Sequence, residues 1–191
     1  MIRFHRGALS IIGALVPLLF AAAATATTVI EKSLDDLCKE ADMVFVGKVV
    51  EVQPRWRAQE RRSIETEVTF AVLEPLYGTR SGDVKLSFSG GDLDGLREVV
   101  AGVPQFQPGE EVLVFATNEP SVSPIVGFHQ GCFRVVDGGG GPIVLDAENR
   151  SVSLRGRASE LDKRAISSGV SLDDFLTEVR TQLGRRGKGT P

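Results

Sequence analysis

The sequence predicts a mainly β protein: a small closed or partly open barrel of about five longer strands, with flanking helices, one before the strands and one after. Three observations carry that expectation. From Gly82 to Gly91, Val84, Leu86 and Phe88 alternate with Lys85, Ser87 and Ser89. That period of two sets one apolar face against a core and one polar face toward water. Glu111 to Ala116 is nearly all apolar, as expected of a strand covered on both sides. Gly47, Gly127 and Gly131 punctuate other strand-like runs, where strands of small barrels must bend. Closing the sheet would remove its open edges. A β-sandwich is the alternative.

Taken in order, the chain begins with Arg3, His5 and Arg6, then the apolar run Ala8 to Ala24, then the small-x-small triplet Ala24-Thr25-Ala26. This is the layout of a secretory signal peptide over residues 1–26, and predicts a secreted or periplasmic protein. A membrane anchor is the rival, but the run only reaches about the lower limit for spanning, roughly 17 residues, and Gly13 and Pro17 interrupt it. The domain is then expected over residues 27–183, with 184–191 as a disordered basic tail. The formal charge is −3, and removing residues 1–26 takes away two arginines and no acid. Such an acidic chain is a poor candidate for nucleic-acid binding, which needs a basic face, and nothing suggests a membrane surface after cleavage.

Ser33-Leu34-Asp35-Asp36 predicts a helix start, with Ser33 as cap and Asp36 adding negative charge to the first turn. Leu34, Leu37, Cys38 and Ala41 then fall on one helical stripe, so Cys38 faces the core. Met43 to Val52 is the first strand, with a bulge or bend at Gly47. Gln53 to Arg62 reads as a polar loop carrying Arg55, Trp56 and Arg57, either a basic, aromatic-tipped binding loop or a solvated hairpin end with Trp56 folded onto the rim. Ile64 to Leu73 is the second strand. Asp92 and Asp94 in the Gly-rich connection invite a calcium reading, but a calcium loop needs a third acid and a late Glu at fixed spacing, so a turn is expected. Val99 to Phe106 is a short apolar segment before a turn at Gln107 to Glu110. Ile125 to Phe128 is expected to lead into a strand that ends at Val136. Pro142 to Asp146 and Ser151 to Arg155 read as a hairpin. Ala158 to Ser168 reads as a loose helix. Ser171 opens a last helix with the stripe Leu172, Phe175, Leu176, Val179 and Leu183, stopping at Gly184.

Two cysteines in an oxidising compartment suggest one disulfide, Cys38 to Cys132, worth about 4 to 5 kcal/mol in the chain-entropy model. Two buried free thiols are the alternative. Two distant cysteines lack the spacing of a metal site, and neither a metal nor a cofactor is expected.

Ala41-Asp42-Met43-Val44-Phe45-Val46-Gly47-Lys48-Val49 is similar to the first strand of exported OB-fold domains of the tissue-inhibitor-of-metalloproteinases type. Val68 to Gly78 resembles the matching second strand. The resemblance spans Ser33 to Val136, extends to a group of uncharacterised exported bacterial proteins, and implies an OB-like barrel. In that family an amino-terminal cysteine binds the protease zinc. This chain has no cysteine near Thr27 and lacks the dense disulfides, so the resemblance transfers no site residue.

For catalysis, residues 27–191 hold a single histidine, His129, and neither a Gly-x-Ser-x-Gly elbow nor a phosphate-cradling Gly-rich loop. The expectation is therefore not an enzyme but an exported protein-binding module, a partner or inhibitor of an exported protease such as a metalloprotease. Its surface would be the Gln53 to Arg62 loop with the Gly90 to Val103 connection, and its contact residues Arg55, Trp56, Arg57, Asp92 and Asp94. The alternative is a small hydrolase or carbohydrate-processing enzyme using His129 and an acid.

Overall fold

The computed structural model describes residues 31–57, 63–152 and 169–186. The signal-peptide reading and the loose helix at 158–168 fall outside them. Helix α1 (Leu34–Glu40) starts as the sequence spells it: Ser33 Oγ accepts from the Asp36 amide, and the Asp36 carboxylate accepts from the Ser33 amide. The chain then enters β1 (Met43–Trp56), which pairs antiparallel with β2 (Ile64–Tyr77) on one side. β3 (Gly82–Ser89) continues the sheet, and β4 (Gly91–Leu93) with β5 (Leu96–Glu98) forms a separate ribbon. β6 (Glu111–Ala116), β7 (Cys132–Asp137), β8 (Pro142–Leu145) and β9 (Val170–Ser171) follow, and α2 (Leu172–Arg186) closes the described chain. The seven-stranded antiparallel sheet runs β3-β2-β1-β6-β7-β8-β9.

Each face of this sheet has its own core. On one, Val44, Val46, Leu113, Phe115, Phe133 and Val144 pack against Leu37 and Cys38 of α1 and Phe175, Leu176 and Val179 of α2. On the other, Phe45, Val49, Val68, Phe70, Leu86, Phe88, Val112, Val114 and Cys132 pack together under Phe106. Because β1 and β6 are covered on both faces, successive residues are apolar; β3, covered on one, keeps its alternation. Register shifts bend β1 at Val44/Phe45, Val46/Gly47 and Val49/Glu51. The second falls at the glycine that the sequence singles out. A Cβ on Gly47 would stand 2.9 Å from the Phe45 ring, so the close packing at this bend needs a residue without a Cβ.

Several expectations are corrected. The barrel is not closed: among the described residues β3 and β9 are the two ends of the sheet, while β1, β2, β3, β6 and β7 are the five longer strands expected. Nor is it a sandwich, because the core strands all belong to one sheet. The expected bridge is absent: Cys38 and Cys132 are free and buried, one in each core. Ile125 to Phe128 is a turn with one isolated bridge, not a strand, because Gly127 and Phe128 both take positive φ. The expected hairpin of 142–146 with 151–155 is met as far as it is described, by the antiparallel bridge of Leu145 to Ser151; residues 153–155 lie outside the described residues. α2 runs through Gly184 to Arg186 because Arg186 is anchored, its guanidinium donating to the Cys38 and Ala41 carbonyls and lying 4.8 Å from the Tyr77 ring centroid. Residues 184–186 therefore belong to the domain, not to a tail.

Candidate functional site

The antiparallel register brings the end of β1, the start of β2 and the end of β3 to one end of the sheet: Arg55 lies opposite Glu65, and Glu65 opposite Ser89. The chain leaves β3 through Gly90 and Gly91 and turns back over β2 as the β4–β5 ribbon. A Cβ on Gly91 would come within 2.3 Å of Thr66 Oγ1, so the ribbon can cross here only on a glycine. Its tip is the pair Asp94 and Gly95, at φ 53° and 78°, the two-residue turn with both φ positive that suits twisted strands. Three hydrogen bonds hold this crossing: Trp56 Nε1 donates to Asp94 Oδ2 at 3.0 Å, Thr66 Oγ1 to the Gly90 carbonyl at 2.6 Å, and the Ile64 amide to Glu98 Oε2 at 2.6 Å.

Beyond the ribbon, residues 99–106 fold back until Phe106 meets Phe70 and Phe88, ring centroids 5.3 and 5.1 Å apart. A cleft of about 210 Å³ remains between ribbon, return segment and sheet. Val52, Val68, Phe88 and Phe106 give it an apolar floor, while Asp92, Arg97 and Gln105 stand at its mouth. Arg97 and Asp92 approach only to 3.8 Å.

A second loop completes the rim. The Ser89 amide donates to the Val122 carbonyl, and Ser123 Oγ donates to the Phe128 carbonyl at 3.0 Å. Phe128 has φ 66° yet is 45% exposed. It lies against the return segment, since a Cβ on Gly102 would be 3.6 Å from Phe128 Cβ. Val99, 62% exposed, Val122 and, at the ribbon tip, Leu96 are further bare apolar side chains around this end. His129 Nε2 lies 3.1 Å from Glu148 Oε1, and its Nδ1 faces Gly102.

The strand period splits the predicted contact residues. Trp56, Asp92 and Asp94 come together on the ribbon side. Arg55 points to the opposite face, into a charged row with Glu65, Glu67 and Ser87. Lys85 completes that row, and its hydrogen bond to Glu67, with Arg55 nearby, holds the Glu67 carboxyl below the usual carboxylate range. Arg57 also leaves the ribbon side, donating to Ser89 Oγ at 2.6 Å, and among the described residues no carboxylate pairs with it. The calcium reading meets an occupied Asp94: its carboxylate holds the Trp56 indole, and the described residues contain no group of three or more potential ligands. Thr66, Glu98, Phe106 and Phe128 are the site residues that sequence reasoning missed. The signal for the return segment was present: Gly102 and Pro104 break the apolar run of 99–106 too often for a strand.

Comparison with protein-family models, curated proteins and solved structures finds no match.

Proposed function

We propose that this chain is an exported protein-binding module that docks on another exported protein through the rim around the ribbon. The carrying observation is the cleft of about 210 Å³ with an apolar floor, beside exposed Val99, Val122 and Phe128. Small-molecule sites usually run from about 300 to 1,000 Å³. A cleft of this size suits one large apolar side chain, and single exposed apolar residues gain meaning when grouped around it. Export rests on residues 1–26. An exported protease as partner rests on the resemblance of Ala41 to Val49 and Val68 to Gly78 to inhibitor-type domains, as does the description of the coiled sheet as a partly open OB-like barrel.

A second reading, a hydrolase using His129, is favoured by its contact with Glu148, since a carboxylate can orient a catalytic base. In that arrangement the other ring nitrogen must face a nucleophile, and it faces the Gly102 backbone. The geometry supports a rim tie between two turns better than a base.

Affinity capture from an extract of exported proteins tests the proposal. Val99→Asp and Phe128→Gly are each expected to lose the captured partner, and Arg80→Glu, at the other end of β2, to keep it. Capture that survives both rim changes would overturn the reading. Turnover of any ester, peptide or glycoside that His129→Ala abolishes would promote the second.

A further inference from the structure

The outer edge of β3 adjoins this cleft, and its hydrogen-bonding groups are set out for a visitor. The Ser89 amide points away from β2, since it donates to Val122. The β2–β3 register has no irregularity from Val72↔Gly82 to Glu65↔Ser89, so the outward direction repeats every second residue. The amides and carbonyls of Asp83, Lys85 and Ser87 therefore also face outward. β3 ends the sheet, and no described strand pairs with that edge. The Ser89 to Val122 bond is already the first rung of such a pairing, made by the chain's own loop.

We propose that the partner presents an extended segment that adds to the β3 edge, with an apolar side chain turned in toward Phe88 and an acidic neighbour turned out toward Arg57. The proposal rests on the protein-binding reading and specifies its partner. Main-chain bonds to an open edge supply affinity, and the side chains of alternate residues supply specificity. On an added strand, inward residues reach the face of Leu86 and Phe88, the latter a wall of the cleft. Outward residues reach the face that carries Lys85, Ser87 and Arg57. There Lys85 and Arg55 are already neutralised by Glu67 and Glu65, whereas Arg57 bonds only a hydroxyl among the described residues. Apolar and acidic residues in alternation are the sequence that matches both faces at once.

Trp56 is the only tryptophan, and at the end of β1 its indole donates to Asp94 on the ribbon that walls the cleft, so its emission is the probe of occupancy. The probe is the capped peptide acetyl-Thr-Val-Asp-Leu-Asp-Val-Thr-amide, compared with the same peptide carrying Lys for both Asp. A saturable change in Trp56 emission is expected with the acidic peptide, at least tenfold weaker with the basic one. Arg57→Glu is expected to reverse that preference. N-methylation of alternate peptide amides should abolish binding, a result independent of how any variant folds. Ser87→Pro removes one outward amide without touching the β2 ladder and should weaken the acidic peptide tenfold or more. Equal binding of both peptides, indifference to N-methylation, or no binding up to millimolar peptide would each overturn the proposal. Sedimentation showing a dimer that Ser87→Pro dissolves would assign the edge to a second copy instead, which also overturns it. If partner capture is lost in Val99→Asp but intact in Ser87→Pro, strand addition fails while the docking reading stands; if both variants capture normally, both fail.

Discussion

Phe128 holds a backbone conformation that costs a bulky L-residue roughly 1 to 2 kcal/mol, and it returns little of that in packing because it is nearly half exposed. It takes φ 66° directly after Gly127 at φ 64°, in a turn closed by the Gln130 amide on the Gly127 carbonyl. A glycine would adopt this backbone without that cost. Phe128→Gly is accordingly expected to leave the unfolding free energy from urea titration within about 1 kcal/mol of the parent chain, strain relief offsetting the lost contact, while partner capture fails. A loss beyond about 3 kcal/mol would make Phe128 a core residue instead. At this scale the sequence was only partly legible. Trp56 and Asp94 were both singled out, and the structure joins them. A first strand ending at Val52 would put Arg55 and Arg57 in the same loop as Trp56, and it is the extension of β1 to Trp56 that separates them. Pro54 looks like a strand breaker, yet β6 flanks β1 only as far as Lys48, so the missing amide of Pro54 faces an open side. Pro75 is tolerated in β2 for the same reason, past the last pair with β3 at Val72.

Elements begin where local chemistry dictates and end where tertiary contacts do. Both helices open on the same four residues, and both starts form as written: Ser171 Oγ accepts from the Asp174 amide just as Ser33 accepts from Asp36. Their ends were less legible, since Gly184 predicts a stop that the anchoring of Arg186 overrides. The α1 start also sets a pH dependence. Hydrogen bonds from the Ser33 hydroxyl, and then from its amide, hold the Asp36 carboxyl below the usual range. A depressed folded value contributes stability that is present above the unfolded value, near 3.9, and is lost as pH falls through the folded one. Ser33→Ala removes the larger cause. It should lower the urea midpoint at pH 7, and the gap from the parent chain should shrink as pH falls below about 4. A gap that stays constant between pH 7 and pH 3 would show that the Asp36 charge plays no part in the cap.

For the whole molecule, the decisive fact is that a single sheet separates two cores. Which face each element covers was not legible, because alternation says that two faces differ without saying which helix covers which. The cysteines show the consequence. Cys132 pairs with Val114 on the face under Phe106, whereas Cys38 lies on α1 across the sheet, among Val44, Val46 and Phe115. Layers packed on a sheet stand about 10 Å from it, and a disulfide needs Cα atoms within roughly 7 Å, so oxidation would require the fold to open. Burial also pushes each thiol up to about 12. In the native fold the reactive thiolate is therefore strongly disfavoured at pH 8. The purified, unreduced protein should therefore show almost no reaction with a thiol reagent when native and two reactive thiols in strong urea. Its melting temperature should not respond to a reductant, even if the protein is made in an oxidising compartment. A midpoint that reductant lowers, or an intact mass lighter by two hydrogens, would place Cys38 and Cys132 together and with them collapse the two-faced sheet on which the cleft, the ribbon and the open β3 edge all depend.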